Sequence, residues 1–314
     1  MAELVTELLK RVARVESAYS LQGLSPLTCG GTADYFTEAN DVIELATAVK
    51  AALDLSIPYI VLGQGRSTLF ADGGFPGLVI ANHSSNFTMA TDKSQVVVDS
   101  GLSLDRLITA TASRGFGGLT QFHGQGGSIG AALLSDMTIA GQSLRSFVRY
   151  VTVLQPPLRL DREATVNRYK VDWFYDKPQG EGSRLARAQE SRELGASGAV
   201  LLTAVLQLTS LRSEMLHAQV KKFGSALARP LDGFGPLFSI PEGLRLEELY
   251  KAAAIQKLRL GAVKIHPKDP NYLLPVGAYR TSGQVDEAIR EIAFQVYEKT
   301  GVQLETIFSR SGPW

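Results

Sequence analysis

The spacing of hydrophobic residues predicts amphipathic helices in the first part of the chain. Near the N-terminus four apolar side chains recur at helical spacing and predict a helix over residues 3–17: Leu4, Leu8, Val12 and Val15. We expect this helix to dock against or cap the rest of the protein, and we assign it no catalytic or binding role. A second helix is predicted from Asp41, where a polar residue precedes a periodic segment. A third is predicted from Leu104 and ends at a glycine.

Short apolar runs between these helices predict strands. They lie at 59–62, 78–81, 95–101, 147–155 and 199–208. From Leu211 the pattern changes to three helical segments, with strand-like pieces at 262–266 and 271–276 between the last two. The tail at 302–308 is compatible with a final strand. We therefore predict a second domain of the α+β class.

The segment 175–198 interrupts the strand pattern. It is rich in Gly, Arg and Glu and contains a helical stretch. Such a composition is typical of a surface insertion, so the segment is predicted to be either a mobile lid or a disordered loop.

Charge and cysteine content exclude several classes of protein. The chain has 314 residues, with 32 Lys plus Arg against 31 Asp plus Glu, so its formal net charge is +1. No strong overall field attracts nucleic acid or an anionic membrane, and we expect neither as a partner. Cys29 is the only cysteine, which rules out an intramolecular disulfide and a multi-cysteine metal site.

The remaining candidate metal ligands and targeting signals are also weak. No two of the four histidines have helical ligand spacing: His83, His123, His217 and His266. No apolar run reaches about 18 residues, and the N-terminus lacks the core of a signal peptide. We expect a soluble cytoplasmic protein without a metal centre.

Two glycine-rich loops carry the most chemistry. GQGRSTLFAD (63–72) follows a predicted strand, and GQGGSIGAA (124–132) precedes an apolar stretch. Glycines let backbone amides approach a phosphate closely, and two such loops fit a dinucleotide diphosphate. Neither loop is a Walker P-loop or a Rossmann fingerprint, so plain tight turns are an equally compatible interpretation. The candidate cofactor-binding residues are Gly63, Gln64, Gly65, Arg66, Ser67, Thr68, Gly124, Gly126, Gly127, Ser128, Gly130 and Ala131.

The two loops, in this order, belong to a longer set of segments. The chain resembles the UDP-N-acetylenolpyruvoylglucosamine reductase family, also called UDP-N-acetylmuramate dehydrogenase or MurB, from about Thr28 to Phe308. The segments that carry the resemblance are CGGTADYF (29–36), LGQGRSTLFADGGFPGLVIAN (62–82), GLTQFHGQGGSIGAALLSDMTIAG (118–141), RYKVDWF (168–174), GPLFSIP (235–241) and GVQLETIF (301–308).

The resemblance implies an α+β fold. It consists of an FAD-binding domain of the vanillyl-alcohol oxidase / p-cresol methylhydroxylase (PCMH) type plus a smaller α+β substrate-type domain. The implied domains are an N-terminal helix at 1–20, an FAD-binding domain at 21–210 with the insertion 175–198, a substrate-type domain at 211–300 and a C-terminal strand at 301–314 that returns to the first domain.

The resemblance implies the reaction of this family, in which NADPH reduces FAD and the flavin then passes a hydride to the enolpyruvyl double bond of a UDP-sugar. This reaction is a step of peptidoglycan precursor synthesis. A serine then protonates the enolate, while an arginine and a glutamate stabilise the developing charge. In this chain those positions hold Pro236, Lys170 and Ile307, and Asp136 replaces a family asparagine. Lys170 keeps the charge but loses the bidentate fork of arginine. The resemblance therefore implies an FAD-binding protein whose family catalytic groups are largely replaced.

The resemblance also implies a substrate site. Tyr169, Lys222 and Arg229 are its candidate residues, although a strand pair, a solvated helix face and a structural turn are ordinary interpretations of the same positions. His123 precedes the second loop, but a loop histidine bound to backbone is the better interpretation, so we expect non-covalent FAD. His266 and Asp269 suggest a changed pocket, although we expect them in a surface loop.

Three function classes remain open after the resemblance. The chain is compatible with a divergent reductase, with a non-catalytic binder of FAD or a sugar nucleotide, and with a flavin oxidoreductase for a different substrate. NADPH is compatible as electron donor, and a UDP-sugar or another small molecule as ligand.

Overall fold

The computed structural model describes residues 2–139, 141–155, 170–175, 199–227, 232–241 and 243–314. The chain divides into two compact units, and each is built from three separate stretches. The first unit contains Met1–Val15, Thr37–Gly63 and Val79–Ala228. The second contains Glu16–Phe36, Gln64–Leu78 and Arg229–Trp314.

The helices of the described residues follow the predicted order. They are α1 (Ala2–Leu9), α2 (Val42–Asp54), α3 (Leu104–Ala112), α4 (Ile129–Leu134), α5 (Ser213–Leu227), α6 (Leu246–Ala252) and α7 (Ser282–Thr300). The helices predicted from Asp41, from Leu104 and in the last third of the chain are confirmed. None of the helices in the described part of the chain is long and apolar enough to cross a membrane.

Most of the predicted strands are also present. The strands of the described residues are β1 (Glu16–Ser20), β2 (Thr32–Ala39), β3 (Tyr59–Leu62), β4 (Thr68–Phe70), β5 (Phe75–Asn82), β6 (Phe87–Ala90), β7 (Gln95–Asp99), β8 (Phe116–Gly117), β9 (Thr138–Ile139), β10 (Gln142–Ser143), β11 (Val148–Gln155), β12 (Lys170–Tyr175), β13 (Val200–Gln207), β14 (Thr209–Ser210), β15 (Phe238–Ser239), β16 (Val263–Ile265), β17 (Leu273–Pro275), β18 (Glu305–Thr306) and β19 (Ser309–Ser311).

The predicted N-terminal helix over 3–17 is too long. Helix α1 ends at Leu9, although the N–H of Val12 still donates to the carbonyl of Leu8 at 2.9 Å. Residues Glu16–Ser20 instead form β1, which pairs in antiparallel register with Thr32–Phe36 of β2. Strand pairing overrides the helical spacing of apolar residues here. The β1–β2 ladder satisfies the backbone groups that a helix would satisfy, and Tyr35 and Phe36 of β2 are buried.

The first unit is built around an antiparallel sheet. Among the described residues this sheet has the strand order β12-β11-β13-β7-β6. Alternate residues of β7 are buried: Val96 and Val98 lie in the core, while Val97 faces outward. The hydrophobic core also takes in Leu104, Leu107 and Ile108 of α3. Helix α3 begins at Ser103, whose hydroxyl accepts from the amide of Arg106.

The second unit has a core of its own, centred on α7. Thr281 and Gln284 form a capping box at the start of this helix, and Gly301 ends it at φ +71°. The buried face of α7 packs with side chains from the strands and from α6: Val285, Ile289, Ile292, Val296, Phe234, Leu237, Tyr250 and Leu273. The C-terminal strand β19 pairs in parallel with β4, which lies within the segment 63–72 of the first glycine loop.

The insertion predicted at 175–198 begins one residue too early. Tyr175 is the last residue of β12 and pairs with Tyr150 of β11. The rest of that segment lies outside the described residues, as do Tyr169 and Arg229.

Candidate functional site

The second glycine loop is anchored to the corner between β7 and α3 by backbone hydrogen bonds. The N–H of Gly130 donates to the carbonyl of Ser100 at 2.7 Å, and that of Ile129 donates to Leu102 at 2.9 Å. The N–H of Leu104 donates back to the carbonyl of Gly127 at 3.1 Å. These bonds fix the path of the loop without using a side chain.

The glycines are needed because other groups approach the backbone closely. A Cβ added at Gly63 would lie 2.5 Å from the hydroxyl oxygen of Ser128, and one at Gly130 would lie 3.0 Å from the carbonyl oxygen of Ser100. Gly127 differs, because its φ is +84° and a Cβ there would meet no atom within 4 Å. The loop therefore packs on one side and faces open space at Gly127, a cradle of the kind that phosphates use.

A buried polar network supports this corner. Asn82 donates through Nδ2 to the hydroxyl of Ser100 at 2.9 Å, and its Oδ1 accepts from the hydroxyl of Ser84 at 2.7 Å. Ser84 in turn accepts from the amide of Gly101 at 3.3 Å. The sequence analysis missed this network. The only signal was the polar content of the two segments that follow β5 and β7 (NHSS and DSG).

Several amides of the second loop already have protein acceptors. The amide of Gly124 donates to Asp105 Oδ1 at 2.7 Å, and that of Gln125 donates to Phe122 O at 3.3 Å. Ser128 is the N-cap of α4, and its hydroxyl accepts from Ala131 N at 3.3 Å. The open side of the loop lies at Gly127, where a Cβ would meet no atom within 4 Å.

Most of the first glycine loop lies in the second unit, where its backbone is also tied down. Gly65 has φ +65°, and a side chain there would collide with the carbonyl of Leu24. The carbonyl of Arg66 accepts from Gly235 N at 3.1 Å, and that of Ser67 accepts from Ser309 N at 2.8 Å. The side chains of Arg66, Ser67 and Thr68 are half-buried.

His123 is held by helices rather than by the loop. Its Nε2 lies 3.5 Å from the hydroxyl of Thr109 on α3. A Cβ at Gly224 of α5 would lie 2.7 Å from its Nδ1. The ring is therefore wedged against these helices, which supports a structural role over attachment to a flavin.

The structure brings together the two segments to which the resemblance assigned the family's proton donor and glutamate. Ile307 N donates to the carbonyl of Leu237, the residue after Pro236, at 2.9 Å. Asn271 holds the same turn, since its Oδ1 accepts from Leu237 N at 3.1 Å and from Phe238 N at 2.9 Å. The two segments thus pair through their backbones, with apolar side chains at Pro236 and Ile307.

Asp136 has partners within the protein. Its Oδ1 accepts from the hydroxyl of Ser143 at 2.5 Å, and its Oδ2 lies 3.5 Å from the guanidinium of Arg145. Arg145 also donates through Nε to the carbonyl of Leu133 at 2.7 Å, near the end of α4. The carboxylate thus orients an arginine that satisfies the last turn of this helix.

The other predicted site residues are distributed as follows. Lys170 begins β12 opposite Gln155, and Lys222 is exposed on α5. The expectation that His266 and Asp269 form a surface loop is wrong for His266, which is 5% exposed. Its Nδ1 accepts from Lys268 N, and its Nε2 lies 3.3 Å from Asp232, so hydrogen bonds on both ring nitrogens compensate its burial.

No group of three or more His, Cys, Asp or Glu side chains in the described ranges is arranged to hold a metal ion.

Comparison with known proteins connects this geometry to a cofactor. Residues 33–157 match the family model described as FAD binding domain. This range includes both glycine loops and the network around Asn82. The predicted α+β fold class with an FAD-binding domain is confirmed.

Full-length relatives and a solved structure extend the similarity to nearly the whole chain. A UDP-N-acetylenolpyruvoylglucosamine reductase from Chlamydia trachomatis serovar A is 27% identical over 92% of this chain and 94% of its own length. One named reductase 2 from Symbiobacterium thermophilum is 25% identical over 100% and 98%. The crystal structure of the reductase (MurB) from Thermus caldophilus has a TM-score of 0.69 and 21% identity, over 95% of this chain and 99% of that one. The resemblance stated from the sequence is confirmed.

Proposed function

We propose that this chain, which resembles UDP-N-acetylenolpyruvoylglucosamine reductases along nearly its whole length, is a cytoplasmic flavoprotein that binds FAD without a covalent bond. The observation that carries the proposal is the second glycine loop. It is anchored by Ser100 and Leu102 and opens to space at Gly127, within the range that matches an FAD binding domain.

The residues at the loops fit a diphosphate. Backbone of the second loop around Gly127, where the loop faces open space, would meet the phosphates. We propose Arg66, Ser67 and Thr68 of the first loop as further candidate cofactor-binding residues, since they offer a charge and two hydroxyls. The bound flavin would supply hydride transfer, with NADPH as the proposed donor.

For the substrate we propose a UDP-sugar or a related small molecule, with Tyr169, Lys222 and Arg229 as the candidate binding residues and Lys170 as the remaining charged catalytic candidate. The turn at Pro236 lacks the groups that the family's reaction requires there. Pro236 has neither a hydroxyl nor an amide proton to give, and Ile307 offers no acceptor or charge through its side chain.

The loss of these groups has a rough cost. Removal of a positioned proton donor costs about 10²–10⁴-fold in that step, and loss of charge stabilisation costs about 10²–10³-fold more. We therefore propose that the chain does not protonate the family's intermediate at the family's rate.

A second candidate function is flavin oxidoreduction on a less polar substrate. The observation in its favour is the exposure of apolar side chains around the same turn, with Ile307 at 51% and Ile240 at 39%. A non-catalytic binder of FAD or a sugar nucleotide is the third class, and flavin reduction separates it from the other two.

The first experiment is the visible spectrum of the purified full chain, followed by titration with FAD. Flavin bands, or saturable binding, are expected. Gly63→Ala places a methyl group against Ser128 and is expected to weaken FAD binding by about tenfold or more. Gly23→Ala is the matched control, because a Cβ at Gly23 meets nothing within 4 Å. A folded chain that is colourless and ignores added FAD would overturn the proposal.

Anaerobic addition of NADPH to the FAD complex tests the electron donor. Bleaching of the flavin bands is expected for both oxidoreductase candidates. Bands that persist at saturating NADPH would exclude NADPH as donor and favour the non-catalytic class.

A further inference from the structure

His123 joins helix α5 to the second glycine loop. It directly precedes Gly124, where the loop begins, and its ring lies between α3 and α5. The turn that carries it is also tied to α5, since the hydroxyl of Thr120 donates to Gln219 Oε1 at 2.8 Å. All of these residues belong to the first unit. The position of α5 therefore acts on the start of the loop through this one ring.

On the α3 side the ring meets a hydrogen-bond acceptor. The hydroxyl of Thr109 donates to the carbonyl of Asp105 at 2.9 Å, so its oxygen is left to accept from His123 Nε2, which lies 3.5 Å away. Asp105 also holds the loop itself, because its Oδ1 accepts from the amide of Gly124 at 2.7 Å. The first turns of α3 thus contact both the ring and the first amide of the loop.

On the α5 side the ring packs against a glycine. His123 Nδ1 is buried and has no hydrogen-bond partner among the described residues. A Cβ at Gly224 would lie 2.7 Å from this Nδ1 and 3.0 Å from Cε1 of the same ring. Favourable contacts between such atoms are about 3.5 Å or longer. Only glycine therefore lets α5 pass the ring at this distance.

A glycine inside a helix needs a structural reason, because it destabilises the helix relative to alanine. Gly224 lies within α5 (Ser213–Leu227), before its last turn is complete. Its φ is not in the left-handed region, so no turn or helix cap requires glycine there. The contact with His123 supplies the reason.

We propose that His123 is a positioning residue for the flavin. Held between Thr109 and Gly224, its ring sets the position of Gly124 and with it the conformation of the glycine loop that meets the diphosphate. The role toward the flavin rests on the proposed function, whereas the link between α5 and the loop does not. A side chain at Gly224 displaces the loop and weakens FAD binding.

Gly224→Ala tests the link directly. The added methyl group is expected to push the ring by about half an ångström or more. FAD binding should then weaken about five- to tenfold, because the hydrogen bond from Gly124 to Asp105 is distorted. Flavin fluorescence during titration of the full chain with FAD is the measurement. The phosphorus NMR resonances of bound FAD should shift as well, which a residue that only fills space would not cause.

A double variant separates positioning from loss of packing. His123→Ala is expected to weaken FAD binding at least as much as Gly224→Ala does, and the double variant should bind FAD like His123→Ala alone. The melting temperature should respond with opposite signs. Gly224→Ala lowers it in the unaltered chain but raises it by about 2 °C or more once the ring is absent, because alanine is the better helix former.

His217→Ala is the matched control for the loss of a histidine. His217 is exposed on the same helix, so its removal should leave FAD affinity, the phosphorus resonances and the melting temperature unchanged.

Hydrogen exchange in the chain without flavin keeps this inference apart from the proposed function. In Gly224→Ala the amides of residues 124–130 are expected to exchange about tenfold faster, while those of α7 in the second unit keep their rates. Faster exchange in a chain that does not bind FAD would overturn the proposed function and support the link between α5 and the loop.

Two results would overturn the inference. In the first, Gly224→Ala binds FAD and exchanges its loop amides as the unaltered chain does. In the second, the effects of Gly224→Ala and His123→Ala simply add in the double variant, which would show that the ring and the glycine act independently.

Discussion

The second glycine loop and the turn at Pro236 show two ways in which a site depends on its sequence. The loop is fixed by backbone hydrogen bonds to Ser100 and Leu102, and its glycines matter mainly because they lack side chains. The turn is fixed equally well, by Asn271 and by pairing with Ile307. The chemistry that we propose to be missing there depends on side-chain atoms that Pro236 and Ile307 do not have.

From the difference between the two regions we propose that a shared fold retains cofactor binding more readily than catalysis. Backbone amides are present at every residue except proline, so a phosphate cradle survives many substitutions. A proton donor resides in one hydroxyl, and a single substitution removes it. The predictions below test this contrast by changing residues in one region and measuring activity, stability or FAD affinity.

The largest expected effect comes from restoring the replaced groups. In the double variant Pro236→Ser, Ile307→Glu, we expect NADPH-dependent reduction of the enolpyruvyl UDP-sugar to rise by about 10²-fold or more, because a proton donor and a carboxylate return to adjacent backbone. NADPH oxidation at saturating FAD is the measurement. Pro236→Ala is the control that removes proline without adding a hydroxyl. An unchanged rate in a folded, FAD-loaded variant would contradict the view that these two positions limit the reaction.

The next effect concerns the scaffold of the second unit. The carboxylate of Asp286 is buried on α7 and binds both Arg310, at 2.6 Å, and Arg290. Asp286→Ala removes a buried carboxylate and its charged hydrogen bonds to two arginines that stay partly exposed to water, and is expected to lower the free energy of unfolding by about 1.5–3 kcal/mol. Urea unfolding measures the change. Glu287→Gln, at the next and exposed position, should alter stability little, and equal effects of the two would show that the buried pair contributes nothing special.

A smaller loss is expected from the network behind the glycine loop. Asn82→Ala removes partners of Ser84 and Ser100 in a buried place and should cost about 1–3 kcal/mol of stability. FAD affinity should fall with it, because Gly101 and Gly130 rest on these serines. Asn40→Ala, on the surface, is the control. Normal FAD affinity in a destabilised Asn82→Ala chain would show that the network does not support the cofactor site.

The smallest expected effect is a pH dependence at Cys29. Burial raises the pKa of this thiol. A group with a raised pKa in the folded state contributes stability below its unfolded pKa and loses it as pH rises through the folded value. Alkylation by iodoacetamide should therefore be slow in the folded chain near pH 8 and fast in guanidinium. Because Cys29 is the only cysteine and lies in the core of the second unit, its labelling reports opening of that unit alone. Fast labelling of the folded chain would contradict the burial.

The sequence predicted regular elements well where one signal dominated. Asp41, Leu104 and the apolar run from Gln95 marked the starts of elements that the structure confirms, since capping and burial act locally. The N-terminal helix failed because the partner of β1 lies in β2, at a distance that local periodicity does not report.

The candidate site was only partly predictable from the sequence. The glycine loops were visible as composition, and the resemblance supplied their order. The roles of Asn82 and Asp136 could not be predicted from the sequence, because each depends on a contact with a residue several positions away that no local pattern marks. Asn82 binds Ser100, and Asp136 binds Ser143. Burial of His266 was missed for the same reason, since Asp232 lies 34 positions away.

The interleaved division of the chain also bears on its synthesis. Once the ribosome has exposed residue 228, every stretch of the first unit is available to fold, while the second unit still lacks Arg229–Trp314 and with them α6 and α7. Residues 16–36 and 64–78 must then wait for a C-terminal partner, with the apolar side chains of Leu27 and Leu69 uncovered. During translation these early segments are therefore the part of the nascent chain most prone to aggregation, until the C-terminal stretch has emerged and covered their apolar side chains.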